Sequence, residues 1–155
     1  MKEQENINKE LIDAAASGDL KKAKYLVSIG ADVNGGGKRA SNETALHYAA
    51  GNCLSEMCKF LIDQGIDINT RNNENYTALM ILLISPNTKL KETTDIFNLL
   101  MLHNAKFDSY DFARISRTMN TKAFGERGEI IFELMKPLIK RKMFNLDIQD
   151  EGGNT

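Results

Sequence analysis

The segment ELIDAAASGDLKKAKYLVSIGADVN, Glu10 to Asn34, lies on ALHYAAGNCLSEMCKFLIDQGIDIN, Ala45 to Asn69, at a constant offset of 35 residues and without a gap. Leu11 falls on Leu46, Ala14 and Ala15 on Ala49 and Ala50, Leu26 on Leu61, and Gly30 on Gly65. A third copy opens 33 residues after the second, where YTALM (Tyr76 to Met80) matches ETALH (Glu43 to His47). Such a period constrains architecture more than any other feature. A unit this short cannot bury its own apolar face, so successive copies must stack and bury it against one another.

Each copy follows one physical plan. Thr44 and Thr77 suit the N-cap position, because a threonine oxygen accepts from an amide that the first helical turn leaves unpaired. A short helix follows, with Leu46, Ala49 and Ala50 on one face; the small alanines let a neighbouring helix approach closely. After a brief turn, a second helix carries Met57, Cys58, Phe60, Leu61 and Ile62. That is too apolar for a helix covered on one side only. Gly65 then ends it in the left-handed conformation that a Cβ disfavours, and Gly30 does so one copy earlier.

Helix, turn, helix, glycine stop and extended link together resemble the ankyrin repeat. The resemblance is carried by TALHYAA (Thr44 to Ala50), LIDQGIDIN (Leu61 to Asn69) and LVSIGADVN (Leu26 to Asn34), and it spans about residues 8–108. It implies an all-α solenoid of stacked helix-turn-helix units joined by β-hairpin loops. Two departures stand out. Ala45 and Ala78 replace the family's first-turn proline, which loses pre-organisation without losing the helix. Met80 stands where His47 stands, so a Thr–His hydrogen bond is expected in the second copy and not in the third. At the hairpin position that needs a positive φ the family favours glycine; this chain has Asn42 and Asn75, the next most tolerant residue type. Both asparagines form N-x-T sequons, but the repeat already accounts for them.

The pattern loosens toward the C-terminus. Leu61 to Leu100 is 39 residues against 33 from Thr44 to Thr77, an excess of six that falls in SPNTKLKETT, Ser85 to Thr94, and is read as a loop insertion. Asn104 then stands in the place of Gly65. A degenerate fourth unit takes DSYDFARISRTMN (Asp108 to Asn120) as its first helix and GEIIFELMKPLIKRKM (Gly128 to Met143) as its second, with Pro137 expected to kink that helix or mark a late start. The closing DEGGNT reads as a hairpin and N-cap with Gly153 at the positive-φ place and Thr155 at the cap. The expectation is one domain over residues 1–155, with units at about 8–38, 39–71, 72–108 and 109–149 and a fifth opening at 150–155, as in a piece of a longer protein.

Catalytic and metal chemistry find little support. The chain has two histidines, His47 and His103, far apart in sequence. Cys53 and Cys58 have C-x4-C spacing, yet Cys58 falls on the buried stripe of a second helix, and a structural zinc site needs four converging ligands. GGGKR (Gly35 to Arg39) lacks the spacing and the Ser/Thr of a phosphate loop. With 20 basic and 21 acidic residues the chain has no global positive field for nucleic acid or an anionic membrane. The basic clusters at Lys122 to Arg127 and Lys140 to Lys142 read as a solvated loop and helix end. No apolar run approaches the roughly 20 residues needed to span a bilayer. A cytoplasmic monomer without cofactor or metal is expected.

The resemblance implies a non-catalytic module that binds a partner protein on the concave face made by hairpins and first helices. The family's variable positions map onto Arg39, Ala40, Ser41, Glu43, Tyr48 and Asn52, and in the next unit onto Asn73, Glu74, Tyr76, Ile81 and Ser85. Tyr48, Tyr76 and Ile81 are the expected energetic anchors, since aromatic and apolar residues dominate interfaces. The alternative is a targeting module for a larger enzyme, a ligase adaptor or a secreted effector, which would act in a host cytoplasm, with the active part after residue 155.

Overall fold

A computed structural model of the chain describes residues 2–35, 42–86, 89–119 and 125–140. The described residues are helical, without a strand. The chain packs as two compact bodies, Met1–Lys106 and Phe107–Thr155.

Among the described residues the first body contains six helices: α1 (Lys2–Ser17), α2 (Leu20–Ser28), α3 (Ala45–Gly51), α4 (Ser55–Asp63), α5 (Ala78–Ile84) and α6 (Leu90–Leu102). They form three pairs in chain order. The first helices α1, α3 and α5 pack side by side, and α4 and α6 pack on each other as a second layer. The alanine pairs explain the close approach in the first row: Ala15, Ala49 and Ala50 are fully buried and Ala14 nearly so. Gly51 shows how little room remains, because a Cβ there would stand 2.9 Å from Ile81 Cγ2 on α5. In α5, Leu82 and Leu83 replace the alanine pair and are themselves fully buried. Each such leucine contributes about 1.5–3 kcal/mol relative to exposure.

The helix stops repeat as the spacing predicts. Gly30, Gly65 and Asn104 have φ of 97°, 81° and 62°. In each case the following amide reaches back to the last turn, Ala31 to the Leu26 carbonyl, Ile66 to Leu61 and Ala105 to Leu100. This satisfies carbonyls that a helix end otherwise leaves unpaired. Asn42 and Asn75, at φ 52° and 65°, take the positive-φ places assigned to them. One position of this kind is not legible in the sequence. Cys53, at φ 54°, stands in the turn where the first copy has Gly18 at φ 77°.

A ladder of side-chain amides ties successive links together. Asn34 Oδ1 accepts from the Asp67 amide at 2.6 Å, and its Nδ2 donates to the Gly65 carbonyl at 3.4 Å. Asn69 repeats both bonds one copy later, to the Lys106 amide at 2.7 Å and the Asn104 carbonyl at 3.3 Å. The far ends of the first helices carry a second ladder, in which Asn52 Nδ2 donates to the Ala16 carbonyl at 2.9 Å and Ser85 Oγ to the Gly51 carbonyl at 2.6 Å.

Two elements differ from the sequence reading. The excess in the third copy is not mainly loop: LKETT is the start of α6, which has 13 residues where α2 and α4 have 9. Leucine, lysine and glutamate are good helix formers. Thr93 is buried, with its Oγ1 3.7 Å from Cys53 Sγ, and this holds the added turn against the stack. The other difference lies at the N-terminus, where α1 starts at Lys2, well before the first quoted repeat residue, Glu10.

The second body contains α7 (Ser109–Met119) and α8 (Gly125–Lys140). The start of α7 is closed by two aspartates: the Asp111 amide donates to Asp108 Oδ1 at 2.9 Å and the Asp108 amide to Asp111 Oδ2 at 3.2 Å. Ile115 on α7 and Ile131 and Met135 on α8 are buried. The helix α8 begins at Gly125 rather than Gly128 and continues past Pro137, so the proline does not mark its start. DEGGNT, with Gly153 and Thr155, lies outside the described residues, as do Arg141 and Lys142.

Candidate functional site

The best-defined surface is built where α3, α5 and the finger between the second and third copies meet. The finger is organised by Asn72. Its buried side-chain oxygen accepts from the Glu74 amide at 3.0 Å and the Tyr76 amide at 2.9 Å, while its own amide donates to the Tyr76 carbonyl at 2.9 Å. Arg71 Nη1 adds a bond to the Asn75 carbonyl at 2.8 Å. Asn73 and Glu74 are thereby held outward at the tip, and both are exposed.

His47 joins this finger to α3. Its Nδ1 lies 3.1 Å from the Thr44 amide nitrogen and 2.9 Å from Thr44 Oγ1, and its Nε2 lies 2.9 Å from the Tyr76 carbonyl oxygen. A carbonyl only accepts, so Nε2 carries the proton and Nδ1 accepts from Thr44. Burial lowers the imidazole pKa below its ordinary 6.5, against smaller upward contributions from the Tyr76 carbonyl and the Glu43 carboxylate. In the third copy the Thr–His bond is absent, as expected from Met80: Thr77 Oγ1 accepts from the Met80 amide at 3.3 Å instead.

The residues singled out from the sequence divide into three groups. Glu43, Tyr48, Tyr76 and Ile81 are half-buried, and Asn73 and Glu74 are exposed. Tyr48 and Ile81 occupy equivalent positions on α3 and α5. Gly51, one turn beyond Tyr48, lies against Ile81. Asn52 and Ser85 have structural occupations in the second ladder. Ser85 is buried, whereas Asn52 remains exposed. Arg39 and Ser41, with Ala40 between them, lie outside the described residues.

Asn72 is not legible in the repeat, because the equivalent residue one copy earlier is Arg39. Asn34 and Asn69 do recur in the quoted motifs, and that recurrence is a readable signal for the first ladder.

Among the described residues no group of three or more His, Cys, Asp or Glu converges as a metal site would. Cys53 and Cys58 are free and buried, and burial pushes the Cys58 thiol up to about 12, which disfavours the thiolate needed for ligation or nucleophilic attack. No helix of the described residues is long and apolar enough to cross a membrane.

Comparison with known proteins agrees with this geometry. A family model described as ankyrin repeats in three copies matches residues 11–111. The human ASB11 ankyrin repeat domain is similar in structure, with a TM-score of 0.53 and 26% identity, over 62% of this chain and 40% of that one. Among curated proteins, a probable E3 ubiquitin-protein ligase of rice, XBOS32, is 31% identical over 88 residues, covering 57% of this chain and 18% of the rice protein. The E3 ubiquitin-protein ligase XBAT32 of Arabidopsis thaliana is 36% identical over 70 residues, 45% of this chain and 14% of its relative. The matched segment thus spans less than a fifth of either plant protein. From the Schellman-type stops at Gly30, Gly65 and Asn104 to the match over residues 11–111, the observations agree that this chain belongs to the ankyrin repeat family.

Proposed function

We propose that the chain is a non-catalytic protein-binding module that engages a partner protein through the finger and first-helix face. Ankyrin repeats are in general protein–protein interaction modules, and the finer assignment concerns which face is used. The observation that carries it is that Tyr48 and Ile81 stand half-buried at equivalent positions on the packed helices α3 and α5, and that His47 of α3 holds the finger bearing half-buried Tyr76 and exposed Asn73 and Glu74. A partly exposed apolar centre with a polar rim is the usual anatomy of a binding surface. The other exposed large apolar side chains described in the first body are Tyr25 on α2, Ile29 at its C-cap, and Leu90 and Leu102 on α6; between α2 and α6 in the chain stands α4, whose Lys59 and Asp63 are exposed.

The test is site-directed photocrosslinking in the full-length protein, with the probe placed at residue 48 or 81 and, for comparison, at residue 25 or 102. Partner adducts are expected from 48 and 81. Adducts from 25 or 102 alone would refute the placement. Alanine at both Tyr48 and Tyr76 should weaken partner capture by at least tenfold, the loss of about 1.4 kcal/mol or more that interface anchors typically give. The helical circular dichroism should remain intact.

A second reading is favoured by the two plant relatives, both named as E3 ubiquitin-protein ligases. In that reading this chain is the targeting part of a larger ligase. Ubiquitin transfer by the full-length gene product supports it; inactivity with intact partner binding supports a binding module alone.

A further inference from the structure

The first ladder has two internal rungs and one of different construction. Asn34 and Asn69 are link residues, and each supplies an acceptor and a donor to the link that follows. At the first link the same two bonds are present, but α1 supplies them. Asn8 Oδ1 accepts from the Asp32 amide at 2.8 Å, and Gln4 Nε2 donates to the Gly30 carbonyl at 2.7 Å. Asp32 and Gly30 are the counterparts of Asp67 and Gly65. Gln4 also donates to Asn8 Oδ1 at 3.1 Å, so the two side chains, one helical turn apart, act as a unit.

A separate observation points the same way. Gly35 occupies the place that Thr70 takes one copy later, and its backbone makes the same turn: the Gly35 amide donates to the Asp32 carbonyl as Thr70 does to Asp67. A Cβ at Gly35 would stand 2.5 Å from Asn8 Nδ2 and 2.9 Å from both Asn8 Cγ and the Asp32 carbonyl oxygen. The glycine leaves room for the Asn8 side chain of α1.

We infer that the first two turns of α1 are a built-in end cap, in which Gln4 and Asn8 reproduce the rung that a preceding repeat's link asparagine supplies elsewhere, and Gly35 is fitted to them. The cap closes the hydrogen-bonding edge of the first link with the chain's own residues. A further repeat or a partner adding at this edge must displace both side chains.

Amide hydrogen exchange of the full-length chain tests this, with the Asp67 and Lys106 amides as internal references. The Asn8→Ala substitution should accelerate exchange at the Asp32 amide by roughly fivefold, the change expected for loss of one hydrogen bond, and leave the references unchanged. Asn8→Asp retains the accepting oxygen and should retain protection. Gly35→Ala, whose Cβ would displace the Asn8 side chain, should also accelerate exchange at the Asp32 amide and leave the references unchanged. An unchanged Asp32 rate in Asn8→Ala overturns the inference. So does equal acceleration at all three amides, which would mean general loosening, or loss of protection at Asp32 in Asn8→Asp equal to that in Asn8→Ala.

Discussion

His47 is the residue where local chemistry and long-range packing meet. Its Nδ1 caps its own helix through Thr44, while Nε2–H holds the finger of the next copy through the Tyr76 carbonyl. Both tasks use the neutral imidazole, and adding a proton at Nδ1 would set donor against the Thr44 amide. Because burial lowers the folded-state pKa below the unfolded value of 6.5, the unfolded chain binds more protons as pH falls through that range. Stability therefore declines as pH drops below about 6.5 and stops declining for this reason once the folded-state pKa is passed. Urea unfolding at pH 7.5 and 5.5 should show a larger loss for the wild type than for His47→Gln, which cannot titrate; equal losses would refute the account. The Thr–His pair was legible because it recurs as a family motif. Asn72 was not, since its role depends on the fold of one finger and the preceding copy has Arg39 instead.

The elements themselves were largely legible, because N-cap threonines, alanine pairs and positive-φ stops fix helix ends through local chemistry. In one place tertiary packing makes helix of a polar stretch. The segment after Ser85 contains a proline and several polar residues, which locally read as loop, yet Leu90 to Thr94 is the first part of α6. Buried Thr93 anchors it, and Thr94 Oγ1 donates back to the Leu90 carbonyl at 2.9 Å. Helical backbone at this point makes a specific demand. Thr94→Pro removes an amide from the interior of α6 and sets a ring against the preceding turn, at a cost of about 3 kcal/mol. A loop would tolerate the same change. Chemical denaturation decides between them, and a loss below about 1 kcal/mol, ordinary for surface substitutions, would restore the loop reading.

At the scale of the whole molecule, stability in the first body comes from neighbour-to-neighbour contacts: α1 on α3, α3 on α5, α4 on α6, with two ladders of side-chain bonds running along the same direction. Such an array is close to one-dimensional, and each copy depends on the next rather than on a distant core. The sequence showed this through the 35-residue offset, but not where the ladder stops. In the third link the place of Asn34 and Asn69 is taken by Asp108, whose carboxylate accepts from the Asp111 amide at the start of α7. Asp108 has an acceptor and no side-chain donor, so it cannot reproduce the two-bond rung of an asparagine. Among the described residues the last such rung is therefore Asn69 on Lys106 and Asn104, at the boundary where the chain divides into its two compact bodies. Residues 1–106 on their own should thus keep the helical signal of α1 to α6 and unfold in one cooperative urea transition. A gradual, non-cooperative loss of that signal would show that the array needs residues after Lys106 to hold its copies together.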